Sequence, residues 1–554
     1  MDSRYPPRAD LTTRADFGYH KAVKMIVTTA VGAEASYLYS PSSTECYSFC
    51  TKKEFKVKSI VSVFDTHATR KDISSNLEFP LPSQFFSIPF LETLYPRCIM
   101  VPAPTTDNYL LSLRAVRERA FKVQEAAVKN KLGHFDVDHS KFQDMVQIVV
   151  LLIKRDYEHP SQILPHGRWR HFDVGGRPRV QHLLNSWASL GQPLMEQTRR
   201  ILDLFVVAVL LDFEPSVAWT YREKTTRRNY RRTEGVVVAV MDMFMAGTFS
   251  SNVNDPHRVD SEGLLSLSIE TLYSGFQVGD RNRLIGLEDR LDLLHHLGNI
   301  LKKKTEFFGY SSVPRPGNML EYLLAHPTTI KTKKGPLIRL ETLWPVVQEM
   351  GELWAADNSD KGGTHNLGDV WPCESIRTSR NPQSTDHFVP FHKLSQWLVY
   401  SLIEPLEKLL GATIEGTDML TPLPDYRNGG LLLDTGFLSL KPVDYERGLR
   451  NYHANSLLPG QPKVEVAPMF EMADPVVIEW RALTTTYLDI VADHVRSTLG
   501  IHRSKLSLFQ LIEGGTWSAG RELAEISRPN TQVPPIMIKT QDELRKHNIQ
   551  NEER

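Results

Sequence analysis

From Leu111 onward, apolar residues recur every three or four positions, in runs broken by glycine or proline. Leu113, Val116, Ala120, Val123 and Ala127 form one such stripe within Ser112–Leu132, which Gly133 closes. Leu287, Leu291, Leu294, Leu297 and Leu301 form another. A spacing of three and four places side chains on one face of a 3.6-residue helix, so these runs predict amphipathic helices. The same reasoning predicts helices over Phe142–Tyr157, Met195–Leu211, Thr233–Ala246 and Val476–Leu499, the last stopped by Gly500. Gly235–Val240 is rich in β-branched residues, which keeps a strand open there. The expected fold class is mainly α, a single large helical domain over residues 106–540.

The flanks read differently. Residues 1–105 are rich in Ser, Thr and Pro, keep no long apolar period, and end in Leu81-Pro82-Ser83 and Pro102-Ala103-Pro104. They are expected to form a low-order N-terminal extension. Residues 541–554 are expected to be a charged tail, and the polar stretch Lys441–Glu471 a loop.

Bulk charge narrows the partners. Lys plus Arg and Asp plus Glu both number 65. Nucleic acid is therefore not an expected partner, because phosphate-backbone affinity needs clustered excess cations. A single phosphate on a small molecule is compatible with the same balance. Cys46, Cys50, Cys98 and Cys373 are too few and too scattered for a disulfide framework, which fits a reducing compartment. The longest apolar runs, near Leu204–Leu211 and Gly235–Met241, fall far short of the ~18 residues a membrane span needs. No basic-then-apolar N-terminal signal is present, so a cytoplasmic location without membrane partners is expected. No P-loop, dinucleotide fingerprint, zincin helix or nucleophile elbow occurs, and neither a cofactor nor a metal is expected.

Polar residues gather in a few short stretches. The densest is Leu423-Pro424-Asp425-Tyr426-Arg427-Asn428-Gly429-Gly430, which runs into the apolar Leu431–Leu433. Pro424 biases Leu423 away from helix, so Asp425 follows a turn, and the glycines leave room beside it. Such a turn suits a small polar substrate, or a helix N-cap supplied by Asp425. Pro165–Gly176 holds Arg168, Trp169, Arg170 and His171. Arginines of this kind can fork onto a phosphate or carboxylate against an indole wall, or make an ion-paired corner. Asn366–Pro372 carries Asp369 and Trp371, and Phe391–Leu398 opens a helix that should kink or end near Pro405. Lys393 at that helix start is unfavourable for the dipole unless an anion joins it; otherwise it is a solvated lysine. Glu513–Arg521 adds an acid, a glycine pair and a tryptophan. His134–His139 has metal-site residue types but reads as a loop with a helix N-cap, and His295-His296 are adjacent and cannot act as one helix-face pair.

Across residues 106–540 the chain resembles the uracil catabolism protein four family of fungi and bacteria. The resemblance rests on Gly167–Gly176, Asn366–Pro372, Pro390–Trp397, Pro424–Gly436, Glu479–Ala482 and Glu513–Gly520. The same segments, in the same order, look more distantly like the queuosine-nucleotide N-glycosylase (queuosine salvage) family. That family has an all-helical fold akin to helix-hairpin-helix DNA glycosylases. Its Asp-Tyr-Arg is matched by Asp425-Tyr426-Arg427, with Leu432, Gly436 and Leu438 following. Lys393, Gln396, Asp369, Glu479, Arg481 and Ala482 match its other segments, whereas Asn428-Gly429-Gly430, His392 and Leu394 depart from it.

The resemblance implies uracil breakdown by an N-glycosidase that cuts a ribosyl C–N bond, giving urea and ribose phosphate from a ribosylurea-like substrate. Asp425 would then steady the oxocarbenium-like transition state. Lys393, Arg427 and one of Arg168 or Arg170 would hold a 5′-phosphate. Trp169, Trp371 and Tyr426 would wall the ligand, and Asp369 or Glu513 would protonate the departing nitrogen. Two other readings stay open: an amide hydrolase of a pyrimidine ring-opening product, and a non-catalytic nucleotide-binding or regulatory protein of the same pathway.

Overall fold

A computed structural model describes residues 106–211, 219–284, 286–309, 313–351, 367–381, 384–455 and 464–539. The extension expected over 1–105 and the tail expected over 541–554 lie outside the described residues, as do Cys46, Cys50 and Cys98. What is described is mainly helical, with short two- and three-stranded ladders between helices.

Helix α1 (Leu113–Val128) starts where the Ser112 hydroxyl caps the Ala115 amide at 3.2 Å. It stops four residues short of the expected end, because Asn130 turns left-handed (φ 51°). Gly133 instead gives its N–H to a distant carboxylate, described below. Helices α2 (Phe142–Asp156), α3 (Leu194–Leu210) and α4 (Arg232–Met245) follow. The β-branched run Gly235–Val240 is wholly buried within α4, so helix prevails over strand there. Burial on every side rewards packing regardless of local preference. In α5 (Leu287–Lys303), Leu287, Leu294, Leu297 and Leu301 are fully buried and Leu291 is half-buried. His295 Nε2 meets the Leu267 carbonyl at 3.0 Å while His296 is exposed, so the two do point apart.

The hairpin β1 (Val370–Pro372) and β2 (Phe388–Pro390) leads into α6 (Lys393–Leu410). Of the two outcomes expected near Pro405, a kink or an end, α6 shows no end there. It runs through that residue, buried in the helix, to a left-handed Gly411 (φ 61°). Then come α7 (Tyr426–Asp434), α8 (Pro442–Ala454) and α9 (Pro475–Leu499), the last capped by Asp474 and closed by Gly500 (φ 65°). Helix α8 and a strand at Met469–Glu471 replace the loop expected over Lys441–Glu471. Pro442 sits at the first helical position, where a missing N–H costs nothing, and Gly448 lets the helix lie against Pro468 and Phe470. With so few apolar residues, α8 carries no readable stripe. A π-helical turn, Ile512–Thr516, runs directly into α10 (Trp517–Ser527).

Apolar side chains form two cores. One holds α3, α4, α5 and much of α6; the other holds α2, α7, α9 and α10. Trp397 and Tyr400 belong to the first and Leu431, Trp480 and Leu511 to the second, so α6 and α7 lie on opposite sides of the seam between them. No helix among the described residues is long and apolar enough to cross a membrane.

Candidate functional site

The residues at this seam fall into three groups. Asp425 is the N-cap of α7. Its Oδ1 accepts the Arg427 amide at 2.8 Å and the Asn428 amide at 2.9 Å, and its Oδ2 accepts Asn428 Nδ2 at 2.9 Å. A carboxylate has about four acceptor positions, so among the described residues one remains open on the half-buried Oδ2 side. Asn428 is fully buried and saturated: it also donates to the Leu423 carbonyl at 3.0 Å and accepts the Thr516 hydroxyl at 2.9 Å. The glycines after it serve close packing. A Cβ on Gly429 would lie 2.7 Å from the Trp480 ring, whose Nε1 donates to the Gly429 carbonyl at 3.1 Å.

Upstream, Thr421 is latched to α6. Its amide donates to Gln396 Oε1 at 2.8 Å, and its carbonyl accepts Tyr400 O–H at 2.8 Å. Gln396, Trp397 and Tyr400 sit three, four and seven residues after Lys393, on neighbouring positions of one helix side. The segment that ends in Asp425 thus lies along the Lys393 end of α6.

The second group surrounds Asp369. Its carboxylate takes a two-pronged fork from Arg481 (2.8 and 2.6 Å), the Trp371 indole N–H (2.7 Å) and the Lys393 amide (3.1 Å). The anion expected beside Lys393 is therefore a carboxylate of the chain itself, seated on the helix N-terminus. Burial alone would raise the Asp369 carboxyl. The charge and hydrogen bonds of Arg481 outweigh it and hold the group far below the usual carboxylate range. An acid so firmly ionised is a poor proton donor. The Lys393 ammonium has no hydrogen bond or ion pair among the described residues, and its side chain is half-buried.

The third group is at Pro165–Gly176. Arg168 is fully buried, lies over the Trp397 ring (5.1 Å), and donates to His171 Nδ1 at 3.2 Å. Burial, then the Arg168 charge, push His171 down to about 3, so its ring is neutral and Nδ1 accepts. Arg170 is tied to Glu404 and to the Pro165 carbonyl. Trp169 turns to the first core, against Phe205, with its N–H on Asp173 (3.0 Å). Glu513, on the π-helical turn, meets His166 Nδ1 at 2.5 Å. Burial would raise the Glu513 carboxyl, but His166, with His171 and Arg170 beyond it, leaves it below its ordinary value.

The structure joins some of the sequence-predicted residues and separates others. Asp369, Trp371 and Lys393 are in direct contact. Asp425 connects to the Glu513 turn through Asn428 and Thr516. Arg427, in contrast, sends its guanidinium to the Gln532 carbonyl at 3.2 Å and stacks over Tyr426 at 5.0 Å. Sequence reasoning passed over His166 and Trp397 as site residues. Both stand inside stretches already singled out, but nothing local marks them, since their neighbours come from hundreds of residues away. Glu479 is an anchor: it accepts the Gly133, His134 and Phe135 amides at 2.9, 2.8 and 3.2 Å, and the Ser375 hydroxyl. His134 Nδ1 pairs with Asp444 at 2.9 Å, and Asp138 caps the next turn on the Ser140 amide.

Fold and site together define a mainly helical protein in which carboxylates, arginines, histidines and indoles line the seam between two apolar cores. The chain belongs to the family described as "Protein of unknown function (DUF1688)", whose profile matches residues 109–544. It is 37% identical over 444 residues to a protein of Lachancea kluyveri named "Uracil catabolism protein 4", covering 78% of this chain and 98% of that one. It is also 35% identical over 438 residues to "Protein urg3" of Schizosaccharomyces pombe, with the same coverage of 78% and 98%.

Proposed function

We propose that this chain acts in uracil catabolism as an N-glycosidase, hydrolysing the ribosyl C–N bond of a ribosylurea-like nucleotide fragment to urea and ribose phosphate. The pathway follows from the name of the Lachancea relative and the extent of the match. The reaction follows from the resemblance of the Asp425-Tyr426-Arg427 segment to queuosine-nucleotide N-glycosylases, and the helical frame is taken to be of that kind. The observation that carries most weight is the hydrogen-bonded chain Asp425–Asn428–Thr516, which ties the carboxylate to the turn bearing Glu513. The Gln396 and Tyr400 latches tie the same segment to α6, and so to Lys393.

As the C–N bond breaks, positive charge grows on the anomeric carbon. A carboxylate held by three N–H donors cannot swing away and presents its remaining lone pair without reorganising. Preorganised charge of this sort is commonly worth ~3–4 kcal/mol, or at least about 100-fold in rate. The Lys393 ammonium, unpaired among the described residues, is the cation best suited to a 5′-phosphate.

The test is purified protein incubated with ribosylurea 5′-phosphate beside the Asp425→Asn variant. Urea and pentose phosphate should appear with wild type and be at least about 100-fold slower with the variant. Ammonia release with the ribosyl bond intact would favour an amide hydrolase. Binding without turnover would favour a regulatory protein.

A further inference from the structure

We infer that His166 is the catalytic proton donor to the departing nitrogen, with Glu513 as the positioning residue that orients it. The inference rests on the glycosidase reading above and supplies the acid it lacks.

Asp369 is unsuited to that role, being locked by Arg481. Glu513 is held below its ordinary value by its partner, which makes it a poor donor as well. With the Glu513 carboxylate 2.5 Å from Nδ1, that nitrogen donates to it, and Nε2 points the other way around the ring. Among the described residues no hydrogen bond engages Nε2.

The ring cannot rotate freely. Trp397 lies 4.7 Å from it, Trp517 6.1 Å and Tyr400 6.5 Å, centroid to centroid, and the His166 side chain is 6% exposed. A second, independent observation points to a ligand at the same place. Trp397 Nε1 is a buried N–H with no hydrogen-bond partner among the described residues, on the ring that lies tilted against His166. An unsatisfied buried donor is costly and calls for an acceptor such as a ureido carbonyl. A third feature is the carrier of Glu513. The π-helical turn is a rare conformation, often found at functional sites. Gly515 lets it lie against α2 and Gly514 against the segment after α2, since a Cβ would come within 2.9 Å of Val149 and 2.8 Å of Ile163 respectively.

In the step, the C1′–N bond breaks with its electron pair going to nitrogen, and the Nε2 proton of the imidazolium is transferred there. Water then adds to C1′. Its surplus proton passes to solvent, which returns one to His166. Among the described residues, the charged and titratable groups around this imidazole are Glu513 from the π-helical turn, His171, and, interacting with those two, Arg168 and Arg170 from the Pro165–Gly176 stretch. Helices α6 and α10 present the rings of Trp397, Tyr400 and Trp517.

The experiment compares kcat/KM on ribosylurea 5′-phosphate with that on 4-nitrophenyl riboside 5′-phosphate, whose leaving group departs without protonation. The ratio of the two is unaffected by any inactive fraction of a preparation. His166→Asn should lose about 100-fold or more on the ureide while staying within about tenfold on the nitrophenyl probe. Glu513→Gln should shift the ratio the same way by a smaller factor, and it decides the matter should His166→Asn not fold. An unchanged ratio in the folded variant overturns the inference alone. Wild type that leaves the ureide uncut overturns the glycosidase reading, and the inference with it.

Discussion

Asp369→Asn separates the role of this carboxylate in holding the site together from any role toward substrate. The substitution keeps the shape and removes the charge. Arg481, 4% exposed, then faces an amide across 2.6–2.8 Å and keeps a buried cation without its counter-ion. Removing one partner of a buried pair typically destabilises by about 3–5 kcal/mol, because the other charge is left uncompensated. Asp369 is 17% exposed, so the lower end of that range is expected. One end of the amide can still accept from Trp371, but its NH2 group must face a second donor, the Lys393 amide or Arg481. The assay is urea unfolding followed by far-UV circular dichroism, with midpoint and slope both recorded. Acid provides an internal check. The folded carboxyl is held below its unfolded value of about 3.9, so its stabilisation is full above that pH and lost as pH falls through it. Wild type should therefore show a steeper acid limb below about pH 4 than the variant. A loss under about 1 kcal/mol, with identical acid limbs, would refute the reasoning. Asp369→Asn combined with Arg481→Met should recover part of the loss, since the stranded charge is gone.

Three further outcomes are expected. Lys393→Met should raise KM about 10- to 100-fold for a 5′-phosphorylated substrate and leave its dephosphorylated counterpart unaffected, since a charge-assisted hydrogen bond is worth about 1.5–3 kcal/mol. Equal effects on the two would remove Lys393 from phosphate binding. His171 is held to about 3 when folded, so the unfolded chain binds the extra proton below about pH 6.5. Its contribution should erode by up to about 1.4 kcal/mol per pH unit as pH falls from 6 to 4, and His171→Asn should flatten that slope in pH-dependent unfolding. A Cβ on Gly520 would fall 1.9 Å from the Arg427 carbonyl, so Gly520→Ala should push α10 off α7 and lower stability by roughly 1–3 kcal/mol in thermal unfolding.

Much of the frame is legible locally because helix formation is a local event. The stripes at Leu113–Ala127 and Leu287–Leu301, the Ser112 hydroxyl cap and the left-handed Gly500 all act within a few residues of themselves. Asp425 is readable in the same way, as an acid after Pro424 whose carboxylate finds the next amides of its own turn. Local reasoning holds for α4, read as a helix despite its β-branched run, and fails for the weakly patterned α8, read as a loop, where packing of Gly448 on Pro468 and Phe470 decides.

The site is a different matter. His166 meets Glu513 across 347 residues, Asp369 meets Arg481 across 112, and Asn428 meets Thr516 across 88. Which of many arginines pairs with which carboxylate depends on how two apolar cores dock, and no spacing along the chain records that. Arg427 makes the point most clearly. It adjoins Tyr426 in sequence, yet its guanidinium is drawn to Gln532, because the α7–α10 crossing at Gly520 brings the chain that follows α10 beside it. Residue order therefore settles where the helices form and which turn carries the acid, through interactions a few residues long. Only the docking of the two cores decides which charges share the seam, since burial makes partners of groups that the chain keeps far apart.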